Sequence, residues 1–257
     1  MNPVAAGIGM FVTIAVGAYA GTWIGKRLPQ HHLSDSSKDM VKVGAAFLAT
    51  LAALVLGLIL SAAKNSFDMK AEEVEHAAAK IIILDQALRQ LGPQALPARD
   101  ALRATVEAKR NLTWVDAEVR SVRADAMQGV ATIPPITKVR TMISALHPTD
   151  DEQSGMRTQA LQLVDDLTQT RWLLIEQSSE LSSTPLILVL AVWLATISGC
   201  LGIYAPRNGT VTAVALLCAV SVAVAVFLIL ELYDPYGGFV KISDAPINTA
   251  IGFLNQR

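Results

Sequence analysis

The chain has 257 residues, of which 52% are hydrophobic and only 17% are charged, compared with roughly 25% charged residues in ordinary soluble domains. The formal net charge of -1 argues against a nucleic-acid-binding protein, which would carry a basic surplus. This composition predicts an integral membrane protein whose main partner is the lipid bilayer.

Four apolar stretches are long enough to cross a bilayer, whose hydrocarbon core of about 30 Å requires about 20 helical residues. They cover residues 4–24, 43–63, 185–205 and 210–232, and their one side chain that is charged at neutral pH is Glu231. The first has no preceding basic residue and no small-residue cleavage site, which predicts a retained helix and not a signal peptide. No stretch alternates convincingly with a period of two, so we expect an all-α protein.

The four spans divide the chain into four parts. Residues 1–63 hold the first two spans, 64–184 an inserted helical extramembrane domain, 185–232 the last two spans, and 233–257 a C-terminal tail. The inserted part has 14 basic and 17 acidic residues, which indicates a solvated domain.

Small residues follow a helical spacing in the first two spans. Gly17, Gly21 and Gly25 recur every four residues and predict close packing against a neighbouring helix. In the second span, the face that carries Thr50, Ala53, Gly57 and Ser61 is small and weakly polar. Either this face packs closely against another helix, or it lines a water-filled pathway.

The inserted domain is predicted to begin as a continuation of the second span, because its apolar positions keep a helical spacing until Gly92 and Pro93 stop the helix. A second helix is expected from about Pro97. Thr149 and Glu152 form a potential capping box ahead of a later helix that leads into the third span.

The tail begins with acidic, aromatic and helix-breaking residues at the membrane boundary. The simplest interpretation of this segment is a helix end with tyrosines at the membrane interface. Beyond it, residues 243–254 predict a short amphipathic helix on the surface of the domain or the membrane, with Ile247, Ala250, Ile251 and Leu254 on one side.

The sequence offers little for catalysis or metal binding. It has no Walker loop, dinucleotide fingerprint, nucleophile elbow or His-Glu-x-x-His motif, so neither an enzyme nor a cofactor is predicted. His31 and His32 near Asp35 form a weak metal candidate, and a loop between two spans explains them better. Cys200 and Cys218 lie in apolar runs, where a thiol more often acts as a small buried apolar side chain than as a bridge.

Several segments together resemble the bacterial family of bestrophin-like domain proteins over nearly the whole chain. The resemblance rests on the sequence Leu28-Pro29-Gln30-His31-His32-Leu33-Ser34, on residues 51–60 and 205–208, and on Glu231 with Asp234-Pro235-Tyr236-Gly237. The last element is similar to the acidic-Pro-aromatic-Gly motif that follows the last span of bestrophins. The order of two spans, a helical domain and two spans is also similar.

This resemblance implies an oligomeric ion channel, since bestrophins are homopentamers that mostly pass chloride. The second span would then line the pore with Thr50, Ala53, Leu54, Gly57 and Ser61. Lys42 and Lys64 would lie near its mouths, where positive charge favours anions. The inserted domain would extend the pore on the cytosolic side of the inner (plasma) membrane.

Charge alone does not decide the sidedness. Four spans place both termini and the inserted domain on one side, and the basic residues near the span ends divide five against five. The first group is Lys26, Arg27, Lys38, Lys42 and Arg207, and the second is Lys64, Lys70, Lys80, Arg171 and Lys241.

Two other functions stay open from the sequence. A membrane sensor or interaction scaffold would use the inserted helices to bind a ligand or partner. A transporter would be expected to repeat the two span pairs internally.

Overall fold

The structure is a computed structural model that describes residues 2–29, 34–114, 136–180, 184–206 and 208–256. These residues form helices and connecting turns, and no strand occurs among them. In chain order the helices are α1 (Pro3–Gly25), α2 (Asp35–Gln90), a 3-10 turn (Pro93–Ala95), α3 (Leu96–Thr113), α4 (Ile136–Ser144), α5 (Asp151–Glu180), α6 (Thr184–Ile203), α7 (Gly209–Tyr233) and α8 (Ala245–Leu254).

Four of the described helices are long and apolar enough to cross a membrane, namely Pro3–Gly25, Asp35–Gln90, Pro185–Ile203 and Gly209–Tyr233. Three of them coincide within a few residues with predicted spans, the much longer second helix contains the predicted span 43–63, and the all-α prediction is confirmed.

Helix α2 is a single helix of 56 residues, about 84 Å long. It begins after Ser34, whose Oγ accepts a hydrogen bond from the backbone N–H of Ser37 at 3.3 Å. It stops before Gly92, which has a φ of 79° that glycine adopts without steric cost. The predicted continuation of the second span up to Gly92 is therefore confirmed.

The chain divides into two compact units. The membrane unit comprises Met1–Ser66 and Ser182–Tyr233, and the bundle unit comprises Phe67–Leu181 and Asp234–Arg257. Helix α2 contributes residues to both units, and the tail after Tyr233 clusters with the bundle unit.

In the membrane unit, α1 packs against both α6 and α7. Its glycines allow the closest approach to α6. A Cβ atom added at Gly17 would lie 2.6 Å from the carbonyl oxygen of Ala195, and one at Gly25 would lie 2.5 Å from that of Ile203. At Gly21, between them, a Cβ atom would overlap the backbone of Gly199. Only glycine fits these three positions without moving α6.

The bundle unit has a conventional apolar core, built from α2, α3, α4, α5 and α8. Leu84 and Leu88 of α2, Leu102 of α3, Val139 of α4 and Val164 of α5 are all fully buried. Helix α8 adds Ile247, Ala250, Ile251 and Leu254, so the prediction of an amphipathic tail helix is confirmed.

The predicted capping box at Thr149 is wrong by one residue. Helix α5 is capped by Asp150, whose Oδ1 accepts from the N–H of Gln153 at 2.7 Å. Gln153 in turn accepts from the N–H of Thr149 at 3.1 Å through its Oε1. Asp150 is as good a cap as threonine, so the sequence pattern did not distinguish the two registers.

Substituting Gly21→Ala should destabilise the membrane unit, by about 1–3 kcal/mol, because the new methyl group would force α1 away from α6. Thermal unfolding of the detergent-solubilised protein measures the effect. Gly9→Ala is the matched control, since no atom lies within 4 Å of its added Cβ and alanine favours a helix. Equal melting temperatures for both variants would contradict the close approach.

Candidate functional site

The residues that the sequence suggests for a pore lie together on one face of α2 in the membrane unit. Thr50, Ala53, Leu54, Gly57 and Ser61, here called the candidate face, are all exposed on the protomer. The buried residues of this part of α2 are Ala45, Ala52, Ile59 and Ala63. With about 100° of rotation per residue, the two sets are roughly 150° apart. The candidate face therefore points away from the core of its own unit.

The candidate face is also sterically open. No atom lies within 4 Å of a Cβ built at Gly57, whereas Gly17, Gly21 and Gly25 of α1 are closely packed. Thr50 donates its hydroxyl to the carbonyl of Ala46 at 3.0 Å, so its hydrogen-bonding capacity is partly used within the helix. Leu54 supplies the large side chain of the set and is 62% exposed. Such a face leaves room for a neighbouring helix or a column of water.

Two lysines flank the candidate face on the same helix. Lys42 and Lys64 are both exposed, and they are about 33 Å apart along the helix axis. Lys42 forms an ion pair with Asp39 at 3.5 Å, one turn earlier. Fixed positive charges are thus present near both ends of the apolar part of α2.

The residues of the acidic-aromatic element after the last span belong to both units. Glu231, at the end of α7, is only 4% exposed within the membrane unit. In the bundle unit, Pro235 is buried and its carbonyl accepts from the N–H of Ile242 at 2.8 Å.

The ring of Tyr236 meets Trp114 edge to face, with 5.4 Å between centroids. The indole N–H of Trp114 donates to the carbonyl of Ile242 at 2.8 Å. The segment that includes Asp234 and Gly237 is therefore an ordered turn anchored on α3 and not a loose tail.

Residues 12–247 match the Bestrophin-like domain family. The chain belongs to the Bestrophin-like family. The similarity noted at residues 231–237 falls inside this match.

Two solved structures share the fold. The first is a bacterial bestrophin homologue from Klebsiella pneumoniae that carries a single substitution, with 15% identity, a TM-score of 0.58, and coverage of 98% of this chain and 97% of that one. The second is described as a membrane protein, with 16% identity, a TM-score of 0.56, and coverage of 96% and 97%. No curated protein sequence matches this chain.

Sequence reasoning missed a buried ionic cluster in the bundle unit of this Bestrophin-like chain. Asp85 of α2 is 2% exposed and accepts from the Nε of both Arg89 and Arg99 at 2.7 Å. Arg89 also donates through Nη2 to the carbonyls of Phe253 and Gln256, each at 2.6 Å. The cluster therefore ties the C-terminal end of α8 to α2 and α3. The sign of this cluster in the sequence is that the acidic Asp85 directly follows Leu84 within a helical series of apolar residues.

A second carboxylate of α2 lacks such partners. Oε2 of Glu73 is buried and accepts no hydrogen bond among the described residues. Burial raises the pKa of Glu73, and the nearby Lys70 lowers it by a smaller amount. The ionised form is therefore disfavoured in the folded bundle.

The other sequence candidates do not form a site. His31 and His32 lie outside the described residues, and within the described part of the chain no three metal-ligating side chains come together. Cys200 and Cys218 are free thiols, and neither is fully buried as expected, since Cys200 on α6 is half-buried and Cys218 on α7 is exposed. Every face of α7 is apolar, so the sequence did not reveal which one points outward.

Substituting Asp85→Asn should cost about 3–5 kcal/mol of stability, because two partly buried arginines would lose their counter-charge. Chemical denaturation measures the loss, and hydrogen exchange of residues 245–254 should rise as α8 detaches. Asp165→Asn is the matched control, since its 2.6 Å pair with Arg140 is half-exposed and should contribute below about 1 kcal/mol. A similar small loss for both variants would contradict the anchoring role.

Substituting Glu73→Gln should stabilise the protein at neutral pH. Since the folded-state pKa is raised, the cost of burying the charge is absent below the ordinary glutamate pKa, grows as pH rises above it, and is complete above the folded-state pKa. The gain in melting temperature should therefore vanish near pH 4. Glu75→Gln, at an exposed neighbour, is the control. An equal gain in melting temperature from both variants at every pH would show that the effect comes from removing a negative charge and not from the burial of Glu73.

Proposed function

We propose that this chain forms a homo-oligomeric ion channel, a pentamer by its resemblance to bestrophins, with the candidate face of α2 lining the pore. The observation that carries the proposal is the outward orientation of that face, which has open space beyond Gly57. Membership in the Bestrophin-like family supports it.

A lipid-facing role explains the candidate face less well. Lipid-exposed positions of a span favour large apolar side chains, whereas Thr50, Gly57 and Ser61 are small or weakly polar. In a closed ring of identical subunits, each copy presents the same face to the symmetry axis. Five such faces would enclose a pathway of about 16 Å in length, from Thr50 to Ser61. Leu54 would then supply the narrowest apolar ring.

We further propose that the channel passes anions. Lys42 and Lys64 would raise the local anion concentration at the two mouths of the pathway. Hydroxyl and backbone groups along the face provide weak contacts that allow rapid passage. By analogy with bestrophins, we propose that the bundle unit and both termini lie in the cytosol and that the protein lies in the inner (plasma) membrane.

The first test is the current across a planar bilayer that contains the purified oligomer, under a potassium chloride gradient. The reversal potential should lie close to the equilibrium potential of chloride. A reversal potential close to that of potassium would contradict the anion proposal while leaving the channel intact.

Gly57→Trp should abolish the unitary current, because the indole would fill the space beyond α2. Gly9→Trp is the matched control, since this glycine also has open space around it but lies on α1. The oligomer mass should be unchanged in both variants. If Gly57→Trp conducts as well as the unmodified protein, the candidate face does not line the pore. If the unmodified oligomer carries no current, the sensor or scaffold function is favoured.

A further inference from the structure

The membrane unit contains a large cavity that shares only Lys42 with the proposed pore. Its volume is about 1050 Å³, at the upper end of the range for small-molecule sites. Side chains of α1, α6 and α7 and the first turns of α2 line it. Most of these side chains are apolar, including Ile14, Leu194, Ile197, Leu201, Val214 and Leu216.

One end of the cavity is basic. Lys38 and Lys42 lie one helical turn apart on α2, and both line the cavity. Lys38 is half-buried, and no carboxylate lies within 4.0 Å of it among the described residues. Lys42 pairs with Asp39, but both side chains are more than half-exposed, so this pair contributes little and can be replaced by a stronger anion.

The same end of the unit has the features of a membrane–water interface. Tyr19, which lines the cavity, is 73% exposed. Trp23 lies one turn after Tyr19, and the guanidinium of Arg27 stacks 3.6 Å from the centroid of its ring. Exposed tyrosine, tryptophan and arginine at the end of a span are typical of the head-group level. The lysines are thus placed near lipid head groups, while the apolar part of the cavity extends along the spans.

We propose that this cavity binds an anionic phospholipid, with its acyl chain among α1, α6 and α7 and its phosphate held by Lys38 and Lys42. An apolar cavity with two ammonium groups at one end is complementary to a ligand that has an apolar chain and an anionic head. Basic pockets between spans bind anionic head groups for this reason. A neutral lipid would fill the apolar part equally well but would gain nothing from the lysines.

The test is a titration of the delipidated full-length oligomer with phosphatidylglycerol or phosphatidylcholine of identical chains, followed by native mass spectrometry. Phosphatidylglycerol should bind about 30-fold more tightly, as expected for two lysines. Lys38→Ala with Lys42→Ala should remove this preference. Lys26→Ala is the matched control, because Lys26 lies at the same end of the unit but does not line the cavity.

A second variant locates the lipid within the cavity. Cys218 lines the cavity and is exposed, so Cys218→Trp should reduce the binding of both lipids without changing the oligomer mass. Equal binding of the two lipids by the parental protein, or an unchanged preference in the double lysine variant, would overturn the proposal. Absence of bound lipid, with Cys218 shielded from thiol reagents only in the assembled oligomer, would instead assign the cavity to a neighbouring subunit. None of these readouts depends on conduction.

Discussion

The close approach of α1 to α6 is the contact on which the rest of the membrane unit depends. In lipid, apolar side chains gain nothing by leaving solvent, so helices associate through direct contact of small residues and backbone. Gly17, Gly21 and Gly25 bring α1 against residues 195–203, while Gly7 brings it near Ala223 of α7. Helix α2 buries a narrow strip of mostly alanine side chains, Ala45, Ala52 and Ala63 with Ile59, and half-buried Val55 and Leu56 pack beside it. Its opposite face remains open, which is what an oligomeric pore requires.

The bundle unit follows different physics because water drives its folding. Its core buries leucine and valine side chains from five helices, and one charge, Asp85, lies among them. A buried carboxylate is tolerated only when it is paired and hydrogen-bonded, and Arg89 and Arg99 fulfil both conditions. Arg89 then reaches the carbonyl of Phe253, in the last turn of α8, and that of Gln256, just after the helix. One carboxylate thus fixes the position of the tail through an arginine that would otherwise extend into solvent.

The features that could be predicted from the sequence are those that depend on a local pattern of residues. Span length follows from hydropathy, the end of α2 from Gly92 and Pro93, and the buried side of α8 from the spacing of Ile247, Ala250 and Leu254. What it missed depends on residues that are distant in sequence. Asp85 pairs with Arg89, which reaches a tail helix more than 150 positions later, and no local pattern reports such a contact. The exposure of Cys218 and the cavity between the spans also depend on how uniformly apolar helices rotate against one another.

The charge balance of the inserted domain bears on selectivity less than its count suggests. Residues 64–184 carry three more acidic than basic side chains, which taken alone would concentrate cations. However, Asp85, Asp165 and Asp166 each form an ion pair with arginine or lysine inside the bundle unit. The field of such a pair decreases much faster with distance than that of a single charge, and salt screens the remainder within about 8 Å. Selectivity is therefore expected to depend on charges next to the pathway. On α2 the basic side chains there are Lys42, whose exposed pair with Asp39 contributes little, and Lys64, so a negative domain is compatible with the proposed anion selectivity.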